Sequence, residues 1–255
     1  MQLNYQVLGQ GPPLLVLHGL LGSLDNWKPY ARAVADRFQV FLLDMRNHGR
    51  SPHADACNYD VMAGDISEFV NDHGLGRVHL LGHSMGGKVA MRFAQCHPSQ
   101  LWKLVVADMG IRENPPRQAE LLSAMRALDL RGLQQRTEAE AALLPAAPDQ
   151  RLRQFLMKNI GRDSHGRMYW KCNLESLWAN YRHLLAALPA APPVVRPTLF
   201  VRGERSDYVR DVDLPALRQA FPLATVETIA GAGHWLHVEA PAEFLRRTLK
   251  FLGED

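Results

Sequence analysis

Short runs that are apolar at consecutive positions alternate along the chain with longer segments in which apolar residues recur every three or four positions. The short runs lie at residues 14–18, 40–44, 79–83, 104–107 and 198–201, with weaker ones near 4–8 and 225–229. A strand apolar on both faces is one covered on both faces, so these runs predict strands buried in a parallel sheet. The longer segments, 26–36, 59–72, 87–95, 214–220 and 242–252, predict helices that cover the sheet. Alternation of the two predicts an α/β fold with a mostly parallel central sheet flanked by helices. The alternation breaks between about 111 and 197, where helix-forming segments at 118–130, 137–144, 150–159 and 174–188 occur without a convincing strand. Pro115-Pro116 on one side and Pro192-Pro193 with Pro197 on the other mark places where helices stop. The expected organisation is therefore a core built from residues 1–110 and 198–255, with 111–197 inserted as a helical cap.

Composition narrows the function classes. With 47% hydrophobic and 22% charged residues in 255, the chain is neither disordered nor collagen-like. No stretch approaches the roughly 18–20 apolar residues of a membrane span. No basic leader precedes an apolar run near residue 1, so a secretory signal is not expected. Cys57, Cys96 and Cys172 lack CxxC spacing, which speaks against a disulfide framework or a Cys-rich metal site; a cytoplasmic location is the expectation. The net charge of +3 forms no basic stripe, so nucleic acid is not an expected partner. The 111–197 segment holds a surplus of basic over acidic residues, read as a solvated face or, more sharply, as a lid attracting an anionic group. Of eleven histidines only His234 and His237, three positions apart, are close enough to suggest ligands, and no HExxH accompanies them, so neither metal nor cofactor is expected.

The strongest chemical signal is Gly82-His83-Ser84-Met85-Gly86-Gly87, between an apolar run and a helical segment. A serine on a sharp strand-to-helix turn exposes its hydroxyl at the top of the sheet, and small neighbours permit that turn. The helix N-terminus behind it offers unpaired N–H groups where an oxyanion would form. Serine is not nucleophilic at neutral pH without a base. His234, in Gly231-Ala232-Gly233-His234-Trp235 after the last strand, is the candidate, and His237 is assigned to packing or support.

Four segments carry a resemblance: Leu17 to Ser23 (Leu-His-Gly-Leu-Leu-Gly-Ser), Asp44 to Ser51 (Asp-Met-Arg-Asn-His-Gly-Arg-Ser), the Ser84 turn, and Gly231 to Trp235. In this order they resemble the α/β-hydrolase superfamily, and more closely the small bacterial YbfF-type esterases and their mitochondrial relatives. The resemblance implies an α/β-hydrolase fold and a cofactor-free serine hydrolase of carboxylic esters or acyl thioesters, a monomer or small homo-oligomer. It places an oxyanion hole at the backbone N–H groups of Leu20 and Met85, with a shift to Leu21 left open. For the acid, Asp108 after the strand at 104–107 is preferred, as the esterases it resembles place an acid at the end of that strand, with Asp207 as the alternative. The family usually places it three residues beyond a glycine after the penultimate strand, but here Ser206 occupies that position relative to Gly203. The cap aromatics Phe155, Trp170 and Trp178, with Leu21 and Trp235, are the candidate acyl-pocket residues. Asp44, Arg46 and His48 are expected to tie loops together rather than take part in catalysis. A C–C bond hydrolase or lyase, and a ligand-binding homologue with negligible turnover, remain alternatives on this scaffold.

Overall fold

Successive residues of the apolar runs enter two different cores. Leu14, Val16, Val40, Leu42, Leu81 and Val105 pack on one side with Trp27, Tyr30, Phe244 and Leu252. Leu15, Leu17, Phe41, Leu43, Leu80, Leu104 and Val106 pack on the other with Ile66, Phe69, Val89 and Phe93. That is the pattern the sequence requires of strands sandwiched between helices.

The computed structural model describes residues 1–253. Its strands are β1 (Tyr5–Leu8), β2 (Pro13–Leu17), β3 (Gln39–Leu43), β4 (Val78–His83), β5 (Leu101–Ala107), β6 (Ile160–Arg162), β7 (Met168–Trp170), β8 (Thr198–Gly203) and β9 (Ala224–Ile229). All but β6 and β7 form one sheet in the order β1-β3-β2-β4-β5-β8-β9, parallel throughout except for the antiparallel β1–β3 pair. The helices are α1 (Lys28–Val34), α2 (Tyr59–Asp72), α3 (Met85–Cys96), α4 (Ala119–Ala127), α5 (Arg136–Ala142), α6 (Gln150–Met157), α7 (Leu174–Ala179), α8 (Tyr181–Leu185), α9 (Leu214–Ala220), α10 (Leu236–Glu239) and α11 (Pro241–Gly253). Among the described residues no helix is long and apolar enough to cross a membrane.

The segment between β5 and β8 differs from its expected all-helical form in two places. Ile160–Arg162 and Met168–Trp170 pair as an antiparallel hairpin, closed by a turn in which Asp163 Oδ1 accepts from the amides of His165 and Arg167. Three-residue strands are too short to show a period in the sequence. The expected single helix at 174–188 breaks at Asn180, whose side chain donates to Asp55 O at 2.6 Å and Ser176 O at 2.9 Å. A side-chain amide that bonds the backbone locally offers the chain an alternative to the helical ladder.

This segment is fastened to the sheet layer by specific polar contacts as well as by a shared core. Lys88 of α3, whose side chain is fully buried, donates to Leu185 O and Ala186 O at the end of α8. Burial lowers its ammonium to about 8. Tyr59 donates to Leu184 O, and Asn47 Nδ2 donates to Ser176 Oγ at 3.0 Å.

Candidate active site

Six parallel strands end on the same edge of the sheet, and the loops leaving four of them converge there. Side groups in that crevice come from the carboxyl ends of β2, β4, β5 and β9, the position at which open α/β sheets collect ligands. Four non-glycine residues among those described hold left-handed φ: Leu21 (60°), Asn47 (66°), Ser84 (54°) and Asp108 (48°). All four lie in loops at this edge, and backbone strain of this kind persists only where surrounding contacts over-determine it.

Ser84 occupies the turn between β4 and α3 with φ 54° and ψ −121°. A Cβ at Gly82 would lie 2.1 Å from Gly86 O, so the turn can close only without a side chain there. Ser84 Oγ donates to His234 Nε2 at 3.0 Å, and His234 Nδ1–H donates to Asp108 Oδ2 at 2.7 Å. Asp108 directly follows β5 and is fully buried. Its carboxylate also accepts from Gly203 N–H at 3.1 Å and from Ser206 Oγ. Asp207 points elsewhere. Its carboxylate is 57% exposed and pairs with Arg117, which holds it below the usual carboxylate range.

The loop after β2 approaches the serine closely. A Cβ added to Gly19 would stand 3.1 Å from Ser84 Cβ. The Gly19 carbonyl accepts from Gly22 N–H at 2.9 Å and from His18 Nδ1–H at 2.8 Å. In a trans peptide the N–H points away from the C=O, so the Leu20 amide faces the other way. Neither Leu20 N–H nor Met85 N–H has a protein acceptor among the described residues. Leu21 N–H is already committed, donating to His48 Nε2 at 3.2 Å.

The structure separates the five candidate pocket residues. Trp235, the neighbour of His234, meets Phe155 with ring centroids 5.4 Å apart and planes tilted by 41°. The side chain of Leu21 is instead buried in the core, and Trp170 donates its indole N–H to Met125 O at 3.1 Å. Trp178 stacks beside Tyr181 on a cavity of about 910 Å³ lined by neither Ser84 nor His234. Leu21, Trp170 and Trp178, expected to line an acyl pocket, are thus placed in the core, against α4 and on a separate cavity. Apolar residues at helical spacing satisfy packing as readily as a ligand, and the pattern alone cannot separate the two. Five basic residues of 111–197 form ion pairs: Arg126, Arg153 and Arg167 with acids of the same segment, Arg112 and Arg117 with Asp213 and Asp207 outside it.

Several supporting residues were not singled out from the sequence. Ser206 binds the Asp108 carboxylate from the position where an acid was sought; the departure from the family pattern was its signal. Tyr208 stacks on the His234 ring at 4.0 Å and 17° and accepts from Gln118 Nε2. His83 Nε2–H donates to the His234 carbonyl at 2.9 Å. The Asp44–Ser51 loop ties strand ends together as expected, with Asp44 accepting from Leu24 N–H and Arg50 N–H and Arg46 binding Asp65 through two nitrogens. His48 goes further, because its ring carries the Leu21 amide.

Buried histidines dominate the surroundings. His18 and His48 each donate Nδ1–H to a carbonyl and accept a backbone N–H at Nε2, a pattern only the neutral ring can make. Burial lowers His48 and His237 to about 3 and depresses His18 and His83 as well. An unfolded chain protonates these rings near pH 6.5, the folded protein only far below. Stability is thus constant above about 6.5 and declines as pH falls toward 3, with a slope of up to about 1.4 kcal/mol per pH unit for each histidine. Melting temperature is expected to drop steadily between pH 7 and 5, less steeply in a His237→Phe variant. An identical slope in the two proteins would count against this account.

Comparison with known proteins identifies the family. The α/β-hydrolase fold profile matches residues 12–241, and the chain belongs to that family. It is 33% identical over 261 residues to an sn-1-specific diacylglycerol lipase of Danio rerio, covering 98% of this chain and 82% of the relative. It is 32% identical over 243 residues to esterase YbfF of Escherichia coli (strain K12), covering 95% and 93% of the two chains. A solved structure of a marine microorganism esterase superposes with a TM-score of 0.96 at 41% identity, covering 98% of this chain and 99% of that one.

Proposed function

We propose that this protein, a carboxylic ester hydrolase, works through an acyl-enzyme formed on Ser84. The observation that carries the proposal is the unbroken chain Ser84 Oγ–His234–Asp108, with bonds of 3.0 and 2.7 Å. Ser84 Oγ attacks the acyl carbonyl while His234 Nε2 takes its proton. The proton then passes to the departing alkoxide or thiolate, the C–O or C–S bond breaks, and the acyl group stays on Ser84. Water, deprotonated by the same imidazole, attacks the acyl carbon; the bond to Ser84 Oγ then breaks, the imidazolium returns its proton to Oγ, and the carboxylic acid leaves. Asp108 holds His234 with Nε2 free to accept and stabilises the imidazolium formed in each step. The N–H groups of Leu20 and Met85 receive the oxyanion; with Leu21 N–H engaged by His48, Leu20 is the donor this geometry favours. No step calls for a cofactor.

Residues 111–197 act as a cap, with the acyl chain lying beneath it against Phe155 and Trp235. Esters and acyl thioesters are both within reach of this chemistry. The lipases among its relatives make acylglycerols an ester class to assay. Truncating Phe155 opens the end of the acyl site. Phe155→Ala is expected to raise kcat/KM for an octanoate over an acetate ester several-fold, as one or two newly buried methylenes at about 0.8 kcal/mol each would do. An unchanged ratio removes Phe155 from the acyl site.

Labelling with a fluorophosphonate tests the mechanism. One equivalent is expected on Ser84, located by peptide mass, with loss of ester turnover in step with labelling. Turnover that survives complete labelling, or no labelling at all, would refute Ser84 as the nucleophile.

A further inference from the structure

Asn159 follows α6 in the cap and is almost completely buried. Its own backbone is fixed on both sides: the N–H donates to Leu156 O at 2.9 Å and the carbonyl accepts from Lys171 N–H at 2.7 Å. The side chain reaches across to the sheet layer, where Nδ2 donates to Leu21 O at 2.6 Å. Leu21 is the residue after the Leu20 amide, and it holds a φ of 60°, a conformation that side chains other than glycine seldom adopt. Two contacts maintain it. His48 accepts its N–H from the sheet side, and Asn159 donates to its carbonyl from the cap side. No other donor to Leu21 O occurs among the described residues. Burial keeps His48 neutral, so its half of the clamp persists through any ordinary assay pH.

We propose that Asn159 is a positioning residue through which the docked cap holds the Leu20 N–H in place for the oxyanion. The proposal rests on the reading of Ser84 as nucleophile and Leu20 as oxyanion donor. Without the Asn159 contact, Leu21 is free to relax toward negative φ, and the Gly19–Leu20 peptide turns with it. The hole then keeps the Met85 N–H and loses its partner. Asn159 touches neither substrate nor the reacting atoms; it acts through Leu21. Catalytic competence thus depends on the seating of the cap, which explains why a buried amide of the inserted segment is spent on a single carbonyl of the sheet domain.

The test uses Asn159→Leu and, because that variant could destabilise the cap, the isosteric Asn159→Asp, which cannot donate to a carbonyl while ionised. Loss of one oxyanion donor costs about 10²–10³ in kcat, so indirect loss through loop relaxation is expected to cost about 10–100-fold. KM for a short nitrophenyl ester stays within about twofold. Affinity for a boronic acid, whose tetrahedral adduct on Ser84 places an oxygen in the hole, falls in parallel with kcat, while affinity for the carboxylate product does not. A merely structural role moves neither ratio. Because His48 and Asn159 act on the same residue, adding His48→Leu to Asn159→Leu is expected to cost much less than His48→Leu alone. Wild-type kcat in a folded Asn159 variant, or full additivity with His48→Leu, overturns the proposal while leaving stoichiometric fluorophosphonate labelling of wild type intact. Absence of that labelling instead overturns the underlying reading and the proposal with it.

Discussion

Replacing Ser84 with alanine is expected to lower kcat for a simple ester by about 10⁶-fold, and adding His234→Ala to that variant to cost little more. Groups that work as one unit lose their whole effect when any essential member goes. Ser84 Oγ and His234 Nε2 are 3.0 Å apart, so each is the other's partner in the proton transfer. Neither substitution should disturb the fold. Alanine at 84 keeps the left-handed turn as well as serine does, and His234 lies on a loop held independently by His83 Nε2–H on its carbonyl. The residual rate reports what the oxyanion donors and binding supply. Additive losses in the double variant would mean that the two residues act separately, and the acyl-enzyme mechanism would fail.

Asp108→Asn comes next in size, with an expected loss of about 10⁴ in kcat. The asparagine fits the same space, but its amide presents a donor where His234 Nδ1–H needs an acceptor. The imidazole then adopts the other tautomer, with Nε2 protonated and unable to receive the serine proton. Ser206 and Gly203 donate to the same carboxylate, so the wild-type group is held with both oxygens engaged. Asp207→Asn removes an exposed pair with Arg117, and such pairs contribute little. Its kcat is expected within twofold of wild type. Reversal of the two outcomes would move the acid to the loop after β8 and leave the rest of the mechanism standing.

Much of this was legible in the residues. Continuous apolar runs mark strands covered on both faces, and the seven anticipated runs are the seven strands of the central sheet. The helix at 59–72 was legible to the residue because Asn58 caps it and its apolar positions keep one face. Ser84 and His234 were readable as candidates because the glycines around a sharp strand-to-helix turn and in the last loop answer to local backbone geometry. Residues whose meaning depends on a distant partner were not readable. Trp170 and Trp178 have the same pattern as pocket residues, and only their neighbours separate packing from contact with substrate. His48 was expected to tie loops together, but that its ring carries Leu21 N–H depends on a partner 27 positions away.

The amino-acid order alone determined the layers, the Ser84 turn and the glycine-rich loop bearing His234, because each follows from periodicity or from backbone freedom within a few residues. Tertiary structure decided which aspartate stands against the imidazole, which amide is left unpaired for an oxyanion, and where the inserted segment grips the sheet. Those depend on pairs such as Asp108 with His234 and Leu21 with Asn159, separated by 126 and 138 positions. No local preference encodes a contact at that range, since the folding of the whole core is what brings its two halves together.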